Sequence, residues 1–408
     1  MKRTLRGSIW RHRDLRLMLP ARALSSYGDD IALVVLTLRV YGEGSGPWSI
    51  SGLLLCAAFP AVVLARPAGR LVDAAPFRTL AVATALWQAA CCVGLALATP
   101  LWTTYALVLL LQAGQVVALP TWSALVPEIA GPDEVGRAVS ASQAMNTTLG
   151  VAAPATAGLA TAWLGYGAPL LLDAATFVIL AATGALIQAS RGGGTRSETA
   201  GNASPGPVTF SLRSDALLWP LILGMCALVL VGEVTNVVEV FLVRGTLGAN
   251  TAAFGLVGAL LAAGIVAGAI IAGKAASDAG RAVRAVTSAA AIGLLLVVAG
   301  VAPTLWVFGV AWAILGVGNG IVNADVSTLL LTRTPDHARG RAIASVNGMA
   351  RGSSLGAMAL GGLAGAVLGA RPTFVIAGAL AAAVSTAVLV RIRRELAPRL
   401  PATATRAR

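Results

Sequence analysis

The sequence predicts an all-α membrane protein: twelve transmembrane helices in two six-helix halves related by a pseudo-twofold axis. Three observations predict it. With 57% apolar residues, 12% charged residues and a mean hydropathy of +0.81 over 408 residues, the chain is too apolar for a soluble globule. The apolar residues gather into runs of about 20, the length that crosses a bilayer as a helix. The chain also matches itself when shifted by half its length, 204 residues. Gly28-Asp29 then falls on Gly232-Glu233, Gly69 on Gly273, Gly136-Arg137-Ala138 on Gly340-Arg341-Ala342, Met145 on Met349, and Gly158-Leu159-Ala160 on Gly362-Leu363-Ala364. An Ala/Gly/Leu-rich chain matches itself often by chance, but agreement of its rarer residues at one ungapped offset does not follow from composition.

The first segment carries Lys2, Arg3, Arg6, Arg11, Arg13 and Arg16 and enters an apolar run too long for a signal-peptide core, without a small-residue cleavage site. It reads as a cytoplasmic tail before an uncleaved first span. The twelve spans fall at about 17–40, 48–65, 80–99, 102–125, 139–163 and 168–189 in the first half. Those of the second fall at about 217–242, 253–272, 283–302, 305–331, 342–368 and 372–390. The halves are 1–189 and 217–408, the second including a basic tail, and residues 190–216, rich in Gly, Ser and Pro, form a flexible linker that cannot build a core. An even number of spans puts both termini on one side. The tails and the loops on that side hold 25 of the 30 Lys and Arg residues, counting Arg284 with the loop before the ninth span. The opposite loops hold Arg39, Arg244 and Arg371, so both termini are expected in the cytoplasm of a multi-pass cell-membrane protein.

Polar residues within the spans are unevenly spread. Span one has Arg22, Asp29 and Asp30; span four Gln112 and Gln115; span five Gln143 and Asn146. Span seven has Glu233, Asn236 and Glu239; span ten Asn319, Asn323 and Asp325; span eleven Asn347 and Arg351. Spans three, six, nine and twelve are nearly free of such groups apart from Gln88, Asp173 and Gln188, which makes them lipid-compatible and leaves the others to enclose a polar cavity. Arg22, Ser26 and Asp29 share one helical stripe, as do Gln143, Asn146, Gly150 and Pro154. The amides have an equally good structural explanation as interhelical hydrogen bonds of about 0.6 kcal/mol each. A carboxylate at mid-bilayer costs roughly 2.5 to 3.5 kcal/mol, which makes Asp29 and Glu233 the leading functional candidates. Asp30 and Glu239 fit as solvated neighbours, and Arg351 as a counter-charge to one of the acids.

Other chemistries are excluded. The basic residues are not gathered on a soluble face, so nucleic acid is not a partner. Cys56, Cys91, Cys92 and Cys226 lie in apolar runs without metal-ligand spacing and read as buried thiols. Residues 268–275 approach a phosphate-binding loop but place Ala275 where a magnesium-holding Ser or Thr belongs. His12 and His337 stand alone, so neither a metal site nor a catalytic triad is indicated and no cofactor is expected.

These residues resemble the major facilitator superfamily, in particular its twelve-span drug:proton antiporter branch with macrolide-efflux and enterobactin-exporter-like proteins. Ser25-Ser26-Tyr27-Gly28-Asp29 is similar to that branch's Ser-x-x-Gly-Asp. The stretch 69–78 resembles the superfamily's gating motif at Gly69, Asp73 and Arg78, while Ala74, Pro76 and Phe77 depart from it. Its echo runs from Gly273 to Asp278. Residues 132–138 resemble the branch's acidic-Gly-Arg-Ala loop, so Arg137 and Arg341 are implied partners of Asp73 and Asp278 in closure. Gly150, Pro154 and Gly158 match a degenerate antiporter motif. The resemblance implies a non-enzymatic efflux antiporter that exchanges protons for a small amphipathic compound and draws on the proton gradient. It is expected to act as a monomer in the lipid bilayer. An uptake carrier of the same fold is the first alternative, and a non-transporting receptor or scaffold the second.

Overall fold

The computed structural model describes residues 9–188, 212, 215, 217–274 and 277–396, and among them there is no strand. After a short 3₁₀ turn (Ile9–Arg11) come α1 (Arg13–Gly42), α2 (Pro47–Val63), α3 (Ala65–Ala74), α4 (Phe77–Leu97), α5 (Leu101–Leu164) and α6 (Gly167–Leu186). The second half comprises α7 (Leu218–Val240), continued by a π turn (Phe241–Thr246), α8 (Thr251–Ala272), α9 (Asp278–Val301), α10 (Leu305–Arg333), α11 (Asp336–Leu368) and α12 (Ala370–Leu396). Apart from Leu212 and Asp215, the expected linker lies outside the described residues.

Local chemistry sets the helix starts. Pro47 opens α2, and Pro76, Pro100 and Pro335 stand just ahead of α4, α5 and α11, where a missing N–H costs nothing. Asn250, Ser277 and Thr304 cap α8, α9 and α10 by accepting from the backbone N–H of Ala253, Gly280 and Val307.

Two boundaries differ from expectation. The loop after the second span is itself a helix, α3, set at 54° to α2. Spans four and five follow each other without a loop as the two helical arms of α5, which break where Gly131 adopts φ 68° next to Pro132. Glycine takes that left-handed conformation without strain and proline removes a ladder hydrogen bond, so the direction changes while the expected loop 132–138 stays helical. By length and apolarity alone, eight described helices qualify as spans, or nine if α2 and α3 count as one. Among the expected spans, α1 and α11 fall short: α1 carries Arg22, Asp29, Asp30 and Arg39, and α11 is rich in Gly and Ser around Arg351.

The packing repeats with the sequence. In the first half α1 lies against α5 and α6, and α4 against α6; in the second, α7 lies against α11 and α12, and α9 against α12. The seams between halves, α5 on α8 and α11 on α2, exchange under the same twofold. At the first, Gly158 faces Gly255 so closely that an added methyl would meet Thr251 O at 2.5 Å. At the second, Gly362 and Gly365 face Ser51 and Pro47, and Ser51 Oγ donates to Met358 O at 2.6 Å. Tyr41 and Phe241 meet edge to face at 5.2 Å, with the Arg244 guanidinium 5.7 Å over the Tyr41 ring. All these contacts lie towards the side opposite the termini. On the terminal side the halves part, and a methyl added at Gly69, Gly136, Gly340 or Gly348 would meet nothing within 4 Å.

The ends are anchored by recognisable devices. Trp48, Trp102, Trp163 and Trp306 are exposed at helix ends on the side opposite the termini, as an aromatic belt requires. Two of the three basic residues there hold helix C-termini: Arg39 donates to the carbonyls of Leu95 and Ala98, and Arg371 to those of Gly300 and Ala302. On the terminal side the second half is tied by ion pairs. Arg333 reaches Asp215 at 3.0 Å and Asp278 at 3.6 Å, and Arg284 holds the fully buried Asp325 through two contacts of 2.7 Å. His12 is not alone, since its Nε2 lies 3.2 Å from Glu134. The described part of the phosphate-loop look-alike is the end of α8 up to Ala272, with Gly268 lying against the backbone of Val317. None of the four cysteines is in a disulfide.

Candidate functional site

Asp29 and Glu233 occupy repeat-related places on α1 and α7, and their surroundings are related in part. Asp29 Oδ2 accepts from Gln115 Nε2 at 3.1 Å, and Gln115 Oε1 accepts from Gln88 Nε2 at 2.9 Å. Shifted by 204 residues, Gln115 becomes Asn319, which lines a cavity together with Glu233. Glu233 Oε1 accepts from Ser354 Oγ at 2.8 Å and Oε2 from Asn236 Nδ2 at 3.4 Å. The first-half counterpart of Ser354 is Gly150, whose place faces Asp30.

The two sites differ in what surrounds this shared core. In the first half the polar groups engage one another, with Tyr27 OH donating to Thr156 Oγ1 at 2.7 Å beside them. In the second half Asn323 turns to Asn319, donating to its backbone carbonyl at 3.0 Å, and a cavity of about 270 Å³ remains next to Glu233. Its wall combines Asn236, Asn319, Asn323, Thr235 and Trp312 with Met225, Leu228, Leu261, Ile292 and Leu296. One anionic group, several amides and an apolar wall suit a small amphipathic ligand. Glu239 lies beside the Trp312 indole and does not line the cavity.

The other sequence candidates are dispersed. Arg22 is within electrostatic range of Asp29 but makes no ion pair within 4 Å among the described residues. Asp325 is held by Arg284 at the terminal end of the second half, away from the cavity wall. Arg351 reaches across the halves to Ala61 O at 3.5 Å and makes no ion pair within 4 Å among the described residues. Gln143 lines a separate groove between α5 and α8, Asn146 Oδ1 is buried without a partner among the described residues, Gln112 is half-buried and Asn347 is exposed.

The implied gate pairs are not formed. Asp73 is exposed and has no ion pair among the described residues, while Arg137 lies 3.8 Å from Glu134. Asp278 pairs with Arg333 instead of Arg341. Each implied pair lies within one half, where Arg137 and Asp278 have nearer partners of their own, Glu134 and Arg333. Arg78 instead ties α4 to the end of α6, donating to Ile187 O at 2.9 Å. Gly273 caps the end of α8. Gly150, Pro154 and Gly158 fall on the face of α5 that meets α1 and α8, so these small residues serve contact between helices.

Sequence reasoning assigned α4 and α6 to lipid and so passed over Gln88, Cys92 and Asp173. Gln88 and Asp173 are each 1% exposed and Cys92 is buried. The signal was present, because Gln88 and Asp173 are polar residues inside apolar runs.

The sequence model of the Major Facilitator Superfamily matches residues 18–274 and again 234–407, which spans nearly the whole chain and reflects its two halves. The uncharacterized MFS-type transporter YfiS of Bacillus subtilis (strain 168) is 24% identical over 386 residues, covering 90% of each chain. A bacterial homolog of the human lysosomal transporter Spinster, in an inward-facing and unoccupied conformation, shares the fold with a TM-score of 0.72 at 14% identity. The match covers 97% of this chain and 99% of that one. A bacterial homologue of the iron transporter ferroportin, also inward-facing, aligns with a TM-score of 0.71 at 15% identity over 94% of this chain and 98% of its own. The doubled bundle, its twofold seams and the matched family sequence together place this chain in the major facilitator superfamily, as a multi-pass membrane transporter and not an enzyme.

Proposed function

We propose that the protein is a proton-coupled efflux antiporter of small amphipathic compounds, working by alternating access in the cell membrane with both termini in the cytoplasm. The observation that carries this reading is the repeat-related acid pair, in which Asp29 sits in an amide network and Glu233 opens into a cavity of about 270 Å³. Equivalent positions on α1 and α7 lie on either side of the axis between the halves, where rocking changes access to each acid. Glu233 favours a cationic or zwitterionic compound, and the apolar wall takes the rest of it. With the termini in the cytoplasm, the seams at Gly158 and Ser51 close the outer face and the opening faces inward. The small residues of α5 that resemble the antiporter motif support export.

Everted membrane vesicles test this directly. Uptake of a cationic amphipathic dye should follow an imposed pH gradient, collapse with a protonophore and ignore ATP. Uptake that required ATP and survived the protonophore would overturn the proposal, and accumulation of the dye in right-side-out cells would reverse its direction.

A further inference from the structure

Asp173 lies on α6 with its carboxylate against the backbone of α1 at Gly28, the residue before Asp29. A methyl at Gly28 would collide with Asp173 Oδ1 and lie 3.0 Å from Thr176 Oγ1. The carboxylate is 1% exposed and has no cation within 4 Å among the described residues. Its donors are the Cys92 thiol, at 3.2 Å from Oδ2, and the Thr176 hydroxyl, at 3.3 Å from Oδ1. That hydroxyl is shared, because it also donates to the Asp173 carbonyl at 2.7 Å. Two weak donors do not compensate the desolvation of an ionised carboxylate, whereas a proton removes the charge.

A second observation points to the same place. Gln88, one helical turn before Cys92 on α4, is buried, and its Oε1 has no hydrogen-bond partner among the described residues. Its other end begins the chain through Gln115 to Asp29. The network on Asp29 therefore ends in an unfilled acceptor beside the thiol that holds Asp173. An acceptor left open in an otherwise satisfied buried network fits a species that brings a proton to it.

We propose that Asp173 is a second proton-binding carboxylate of the first-half site, paired with Asp29 across Gly28, so that the two acids take up and release protons as a unit. Protons enter and leave the unit by Asp29, and the charge on one acid sets how readily the other takes a proton. The groups facing the pair are Arg22 and Asp30 on α1 and Cys91 and Cys92 on α4, while α5 contributes the uncharged Gln115. The second half has no equivalent, since Ala377 stands where the repeat would place an acid. The pairing deepens the proton-coupled reading and rests on it for its role in transport.

The test follows protonated-carboxyl infrared bands of the purified full-length protein as pH is stepped. Asp173→Asn should remove one band and shift the midpoint at which the Asp29 band titrates, and Asp29→Asn should do the converse. Cys92→Ser replaces the thiol with a stronger donor and should move the Asp173 band, which supplies the answer even if Asp173→Asn does not fold. Loss of no band in Asp173→Asn, an Asp29 band that titrates unchanged, or a Cys92→Ser spectrum identical to wild type would each overturn the pairing. Dye transport without protons alongside coupled bands would instead overturn the antiport reading and leave the paired site standing.

Discussion

Gly158→Ala tests the seam that closes the face opposite the termini. The added methyl would meet Thr251 O at 2.5 Å, Gly255 Cα at 2.9 Å and Gly255 N at 3.1 Å, all backbone atoms of α8 that cannot rotate away. Relief requires α5 and α8 to separate by a substantial fraction of an ångström. Overpacking of this kind costs roughly 1 to 3 kcal/mol. The cost falls only on conformations in which the two helices touch here, so it shifts the balance between closed and open forms of this face by about 5- to 150-fold. Spin labels at Leu164 and Leu368, exposed and in opposite halves, report that separation by pulsed dipolar spectroscopy. The distance distribution should move to longer values in Gly158→Ala and stay put in the control Gly69→Ala, whose methyl meets nothing within 4 Å. An unchanged distribution in Gly158→Ala would refute the assignment of the Gly158–Gly255 contact as the closing seam.

Asp29→Asn should abolish dye transport driven by a pH gradient while leaving dye binding and membrane insertion intact, and Glu233→Gln should do the same or weaken binding of cationic dyes, as equilibrium binding would read; wild-type pumping by both variants with an unchanged pH dependence would rule out the acid pair. Asp325→Asn removes the buried carboxylate that Arg284 and Arg281 hold and should lower the melting temperature more than the double variant Asp325→Asn/Arg284→Gln does. For Asp215, outside the spans, burial pushes the carboxyl up, but the Leu218 and Leu217 N–H groups and Arg333 outweigh it and leave the group below its ordinary value. A depressed folded-state value means the contribution to stability is full above the unfolded carboxylate range and is lost as pH falls through the folded one. Asp215→Asn keeps an acceptor for the two N–H groups but loses the Arg333 ion pair, so it should cost up to about 1 kcal/mol near neutrality and flatten the acid limb of the stability curve, as melting temperatures across that range would show.

The architecture was legible in the sequence because a bilayer imposes simple one-dimensional rules. Every backbone polar group must be satisfied within the segment that crosses, so spans appear as apolar runs, and a duplicated bundle appears as one ungapped offset. That offset placed Asp29 opposite Glu233 before any coordinates. Contacts that depend on which helix lies behind which were not legible. Asp173 and Gln88 looked like isolated polar residues on lipid-facing helices, and only the packing of α4 and α6 behind α1 buries them next to Asp29. The same holds for charge partners. The family resemblance suggested Arg137 and Arg341 for the loop acids, whereas the pairs formed are Asp278 with Arg333 and Asp325 with Arg284, because ion pairing depends on distance in space. Gly158 reads from sequence as a small residue suited to close packing, and the tertiary structure makes it a seam by setting Gly255 of the other half against it. Sequence periodicity determined the elements and their duplication; the approach of helices far apart in the chain decided which polar groups meet, which form ion pairs and which line a cavity.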